Sequence, residues 1–132
     1  MNFLSIFKRN LFFKFKKKID IDADTFEKDA GFEKLFSFYK TDEAALIEND
    51  GISGHGFSEF YEKYFSNLKY KKIKILEIGS FSGASAAAFA KYFPNSTIYC
   101  LDINLRKFIY KSNQIFPFGV DVTNYNMIEK FL

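Results

Sequence analysis

Among its 132 residues the sequence holds no tryptophan, one cysteine, one histidine and two prolines. A lone cysteine cannot form an internal disulfide. Cys100, set in the apolar run "TIYCLDI", reads as a buried structural thiol in a reducing cytoplasm. With a single His beside it there is no Cys/His cluster, so no zinc site is expected, nor any other metal site. Neither a Gly-x-Ser-x-Gly elbow nor a Gly-Lys-Ser/Thr phosphate loop occurs. No apolar stretch approaches the ~20 residues that a membrane-spanning helix needs. Acids are missing from residues 1–18, which carry Lys8, Arg9, Lys14, Lys16, Lys17 and Lys18. The other 114 residues hold 13 basic and 16 acidic side chains. The net charge of +3 therefore belongs to a tail, and the mildly acidic body argues against a nucleic-acid partner.

What is present is bulk: nineteen Phe and eight Tyr in a chain that is 48% hydrophobic, ample for the core of one domain. Three stretches differ in pattern. Residues 1–19, "MNFLSIFKRNLFFKFKKKI", form a basic amphipathic tail in which the charge follows the apolar residues. That order is the reverse of a secretory signal. Two readings stand: an interfacial anchor giving peripheral membrane contact through residues 1–18, or a helix docked on the body. Residues 20–71 read as a helical segment. "DTFEKDAGFEKLFSFY" predicts one helix capped by Asp24 or Thr25, "ENDGISGHG" a loop, and "FSEFYEKYFSNL" a helix capped by Ser58. In the last of these, Phe57, Phe60, Tyr61, Tyr64, Phe65 and Leu68 recur at helical spacing and are expected in the core.

From residue 72 the pattern alternates. "KIKILEIG", "STIYCLDI" and "IFPFGVDV" read as strands, with Pro117 indicating an edge position for the third. "GASAAAFAKYF" reads as a helix closed by Pro94, "NLRKFIYKSN" as a short helix from Asn104, and "TNYNMIEKFL" as a helix from Thr123. Strand–helix alternation of this kind predicts an α/β fold. The expected core is a partial Rossmann-like parallel sheet of about three strands in order 3-2-1, with N-terminal helices before it.

Ligands of such sheets bind outside the carboxyl ends of the strands. Gly79 and Gly83 let backbone approach a ligand there, and Ala84 to Ala87 let the helix press on the sheet. An acid closes each strand: Glu77, Asp102 and Asp121. An acid at the end of the second strand is placed to accept from two ribose hydroxyls, which suits Asp102. One after the third strand can accept from an exocyclic amine, which suits Asp121. Glu77 beside the turn would repel a pyrophosphate but suits a ligand bearing a cation. Each acid also reads as a helix cap or a solvated strand end.

"LEIGSFSG" with "YCLDIN" and "GVDVTN" resembles the motifs of class I S-adenosylmethionine-dependent methyltransferases, over about residues 72–124. The upstream "TDEAALIENDGISGHGFSEFYEKYF" resembles the leading segment of sugar O-methyltransferases of the mycinamicin-biosynthesis type, with Glu43 where that family carries Lys. The resemblance implies S-adenosyl-L-methionine as cofactor and a small-molecule acceptor, a sugar hydroxyl among the candidates. Glu77 and the backbone of Gly79 would face the methionine end, Asp102 would hold the ribose hydroxyls, and Asp121 with the Val122 N–H would meet the adenine; Ser80, Gly83 and Ile103 complete the implied cofactor-binding set. No catalytic residue is assigned. The family's acceptor-binding groups follow a fourth strand, and this chain stops at Leu132. A truncated or split enzyme is therefore expected, its open first-strand edge covered by a second chain or oligomer. His55, in "SGHGF", reads as a loop residue without catalytic duty. Two alternatives remain: a non-catalytic remnant or membrane-associated module, and an NAD(P)-binding oxidoreductase fragment. "EIGSFSG" departs from the dinucleotide fingerprint, and the Tyr70/Lys74 pair precedes the first strand, where such a catalytic pair would not lie.

Overall fold

A computed structural model describes residues 3–47 and 52–131. Its centre is a parallel sheet of β4 (Lys74–Ile78), β5 (Thr97–Asp102) and β7 (Ile115–Gly119), in that order. Ile75 sits opposite Ile98, which sits opposite Ile115; Glu77 is level with Cys100 and Pro117. The first, second and third strands of the expected half-sheet are thus adjacent, and Pro117 lies on an outer strand where no central ladder bond is lost.

The sheet's two faces differ. Ile75, Ile98, Cys100 and Ile115 face α4 (Ala84–Tyr92), which is buried along most of its length. Alanines at 86, 87, 88 and 90 let α4 lie between the sheet and a second layer, α2 (Phe32–Tyr39) and α3 (Ser58–Phe65). Bulk is concentrated in that second layer, where Phe32 stacks on Tyr92 with ring centroids 3.7 Å apart. Burying a ring of that size contributes about 2–3 kcal/mol. The opposite face carries Leu76, Ile78, Phe116 and Phe118. Leu76 and Ile78 remain 50% and 61% exposed, while Phe131 of α5 (Tyr125–Phe131) packs edge-on against Phe118.

Several expected elements take other forms. The helix predicted from Asp24 begins only at Phe32, after Gly31 in extended conformation. Asp24 instead accepts the Tyr39 hydroxyl at 2.8 Å, and Phe26 packs edge-on against Phe38, so tertiary contacts hold residues 24–31 in turns. The helix predicted from Asn104 is a single 3-10 turn, Leu105–Lys107, whose N–H at Arg106 is capped by the Asn104 side chain. Phe108 then turns inward, the chain extends, and β6 (Tyr110–Lys111) pairs in parallel with β1 (Ile19–Asp20). The N-terminal segment thereby joins a small second sheet that local pattern did not indicate.

In the predicted "ENDGISGHG" loop, β2 (Leu46–Ile47) pairs antiparallel with β3 (Ile52–Ser53), while residues 48–51 lie outside the described residues. Ser58 is the first residue of α3 rather than its cap, and its hydroxyl bonds the Glu33 carboxylate. Of the α3 stripe, Tyr61, Phe65 and Leu68 pack on the core, but Phe57, Phe60 and Tyr64 are exposed. α1 (Phe3–Phe15) docks beside the 105–107 turn and the end of β7, with Phe13 edge-on to Phe108. Among the described residues no helix is long and apolar enough to cross a membrane.

Candidate functional site

β4 ends at Ile78 and the chain turns at once. The Gly79 N–H donates to the Leu101 carbonyl at 2.8 Å, holding the turn to the end of β5. Gly79 has φ +81, and a Cβ built there would meet nothing within 4 Å, so its backbone borders open space. Gly83 is different. It also has a positive φ, +79, but a Cβ there would come within 2.5 Å of the buried Phe108 ring. The second glycine therefore admits a core aromatic against the first turn of α4.

Two clefts open on this turn. The larger, about 860 Å³, is bordered by Thr41, Glu43, Tyr61, Glu77, Ser80 and Ser85. The smaller, about 250 Å³, is bordered by Asp102, Ile103, Asp121, Val122 and Thr123. Ile78 and Gly79 border both, so the end of β4 is the ridge between them. Of the eight expected site residues, seven thus line one cleft or the other, and Gly83 faces Phe108.

The three acids are held in different ways. Asp102 accepts the Phe81 N–H at 2.8 Å through Oδ2 and the Asn104 N–H at 2.7 Å through Oδ1, joining the turns after β4 and β5. Asp121 Oδ1 accepts both the Thr123 hydroxyl at 2.6 Å and the Thr123 N–H at 3.0 Å. Those two bonds hold the Asp121 carboxyl below its ordinary range. Both acids therefore do serve as turn caps, and a carboxylate with about four lone-pair positions retains acceptor capacity beyond these bonds.

Glu77 is set apart. Its Oε2 is buried with no hydrogen-bond partner, as is the Oε2 of Glu43 across the same cleft. Burial pushes the Glu77 carboxyl above its ordinary range, and the charges of Glu43 and Asp102 push it further. Hydrogen bonds from the Ser80 and Cys100 side chains act the other way. Burial likewise raises Glu43, with Asp42 adding to it and His55 opposing. The Cys100 thiol is raised well above its ordinary value by burial and by Glu77, which leaves it an inert core group. An unpartnered buried carboxylate oxygen costs free energy until a donor or a cation meets it.

Glu43, Tyr61, Thr41 and Ser85 were not singled out as site residues from sequence. Thr41 Oγ1 and Ser85 Oγ lie 2.6 Å apart, which fixes the 40–43 turn against the start of α4 and brings Glu43 over the cleft. The one sequence signal is the acid at 43 where the sugar O-methyltransferases that the segment resembles carry Lys. Tyr61 gave none, because its spacing is that of a core stripe. His55 lies at the surface, its Nε2 3.3 Å from Asp42 Oδ2 and its ring stacked on Phe57. Among the described residues no group of three or more His, Cys, Asp or Glu side chains is placed to hold a metal ion.

No family model and no curated protein matches the chain. Solved structures do. The chain is similar to the MycE methyltransferase from the mycinamycin biosynthetic pathway in complex with Mg, SAH and mycinamycin VI, at 20% identity and a TM-score of 0.64. Two further crystal forms of MycE with Mg and SAH match at 20% identity and TM-scores of 0.65. In each case 79% of this chain is covered, and it spans only 26% to 28% of the other protein's length. At this identity the likeness shows the fold: a partial, Rossmann-like class I methyltransferase sheet.

Proposed function

We propose that this chain is the cofactor-binding part of an S-adenosylmethionine-dependent methyltransferase. The observation that carries the reading is the paired cleft at the end of β4. A glycine ridge with open space above it separates a cleft holding an unpartnered, buried Glu77 oxygen from one bordered by Asp102 and Asp121. A cation-bearing adenosine derivative matches that division. Its nucleoside meets acceptors in the small cleft, and its cationic tail meets Glu77 and Glu43 in the large one. When bound, the cofactor supplies a methyl group on a sulfonium, open to in-line displacement by an acceptor.

The protein's own part is to orient. Asp102, held by two backbone N–H groups, presents its remaining lone pairs in a fixed direction toward ribose hydroxyls. Asp121 and the Val122 N–H border the place for the adenine edge. Gly79 leaves room for the ligand to cross from one cleft to the other. A small-molecule hydroxyl, that of a sugar included, is the acceptor class we infer. The similarity to a protein solved with mycinamycin VI supports it. Further polypeptide lying along the open edge of β4 would complete the acceptor side.

Calorimetry of the full chain with S-adenosylhomocysteine, and separately with NAD, tests the assignment. Saturable binding of the first and none of the second is expected. Binding of NAD alone would overturn it in favour of a dinucleotide enzyme.

A further inference from the structure

α1 has two apolar faces, and the fold uses one. Its inner side is fixed by Phe13 against Phe108, by Asn10 packed over Gly119, and by Lys16 Nζ donating to the Arg106 carbonyl. Lys18 Nζ donates to the Phe13 carbonyl at 2.6 Å and lies over the Phe13 ring, closing the helix end. The outer side exposes Phe7, Leu11, Phe12 and Phe15, spaced at four, five and eight residues from the first and so on one helical face. Phe12 and Phe15 are 71% and 83% exposed, an unusual placement for two large rings on an ordered helix.

Cations surround these rings and acids do not. Lys8, Arg9, Phe12, Phe15, Lys16 and Arg106 border a groove of about 580 Å³ along the last turns of the helix. Lys14 and Lys17 are exposed too, and residues 1–18 contain no acidic side chain.

We propose that the outer face of α1 docks on an anionic lipid bilayer, with Phe7, Leu11, Phe12 and Phe15 entering the interface and the surrounding cations meeting lipid phosphates. Charge complementarity selects this occupant. A second copy of the chain would set one all-basic face against another, and a nucleic-acid duplex, its bases already stacked, would leave the exposed rings without an apolar medium. Apolar insertion and cation attraction each add to affinity, and Lys8 lies at helical spacing among the exposed rings of α1 while Lys16 and Arg106 border the groove beside Phe12 and Phe15. The docked inner face ties this side to the loop after β5, since Arg9 Nη1 reaches the Ile103 carbonyl at 3.5 Å. The bilayer would then lie next to the small cleft. The inference stands apart from the cofactor assignment.

Co-sedimentation of the full chain with vesicles tests it, using phosphatidylcholine alone and phosphatidylcholine mixed with phosphatidylserine. Binding to the mixed vesicles alone, weakened by salt, is expected. The double variant Phe12→Ser/Phe15→Ser, altered at exposed positions so that the melting temperature is kept, should lose at least tenfold in vesicle affinity. So should Lys14→Glu/Lys17→Glu. Equal binding to both vesicle types, or unchanged binding in either variant, would overturn the proposal. So would concentration-dependent dimerisation abolished by the Phe variants, or tighter binding to a single-stranded RNA oligonucleotide than to vesicles.

Discussion

Asp102 Oδ2 accepts the backbone N–H of Phe81 at 2.8 Å, across 21 positions of chain. Phe81 has φ 44, a left-handed conformation that a bulky residue adopts at a cost of about 1–2 kcal/mol. The end of β5 thus holds the turn after β4 in a strained shape, and that turn borders the candidate site.

Replacing Asp102 with Ala removes the acceptor of two backbone N–H groups and should cost about 2 kcal/mol in chemical denaturation. Affinity for S-adenosylhomocysteine should fall at least tenfold. Asp102→Asn retains one side-chain carbonyl acceptor and should recover more stability than affinity. An Ala variant that binds as tightly as the parent would remove Asp102 from the site.

The two glycines should respond in opposite ways. Gly83→Ala pushes a Cβ into Phe108 and should destabilise by about 3 kcal/mol, combining backbone strain with core displacement. Gly79→Ala has open space around it and should cost only the backbone strain, about 1 kcal/mol. Its Cβ enters the ridge between the clefts, so ligand affinity should drop more than stability. Melting curves and calorimetry on the pair separate the two effects.

Glu77 gives the pH dependence a sign. Its carboxyl is raised in the folded state, chiefly by burial and then by the charges of Glu43 and Asp102. Below the ordinary carboxylate range both folded and unfolded forms are protonated. As pH rises through the window above it, the unfolded form ionises first, so stability from this group is lost with increasing pH. Glu77→Gln should therefore melt higher than the parent near neutral pH and no higher in acid. The ammonium group of S-adenosylhomocysteine favours the ionised form, so this ligand should bind more tightly as pH rises through the same window, and this slope should flatten in the Gln variant.

Glu62 joins three helices: Oε1 accepts the Phe32 N–H at 2.8 Å and Oε2 the Tyr92 hydroxyl at 2.7 Å. Hydrogen bonds to a charged acceptor are each worth about 1.5–3 kcal/mol. Glu62→Ala should cost about 3 kcal/mol in urea denaturation with ligand contacts untouched. A variant within ~0.5 kcal/mol of the parent would show that solvent replaces both bonds.

Among the described residues β4 pairs on one side only, and Leu76 and Ile78 lie bare on the adjoining face. An open apolar strand edge favours association. Light scattering behind size exclusion, at several concentrations, should show mass above that of the single chain. Leu76→Lys should restore the single-chain mass. A monomer throughout would mean that this edge is stable in water.

The sequence by itself determined the parallel half-sheet, its three closing acids and the turn at Gly79. Short apolar runs, a small-residue helix and turn glycines are local features that need no distant partner to be read. Only the tertiary structure decided the rest, because each remaining feature depends on residues far apart in the chain. Phe108 reaches Gly83 across 25 positions and so claims the space above the second glycine. The Thr41–Ser85 contact carries Glu43 over a cleft whose other acid is Glu77. Residues 108–111 leave their helical pattern because pairing with Ile19 and Asp20 satisfies their backbone groups and burying Phe108 fills the core. In α1, periodicity showed an amphipathic helix. Which of its rings would be buried was fixed by the shape of the surface that it meets.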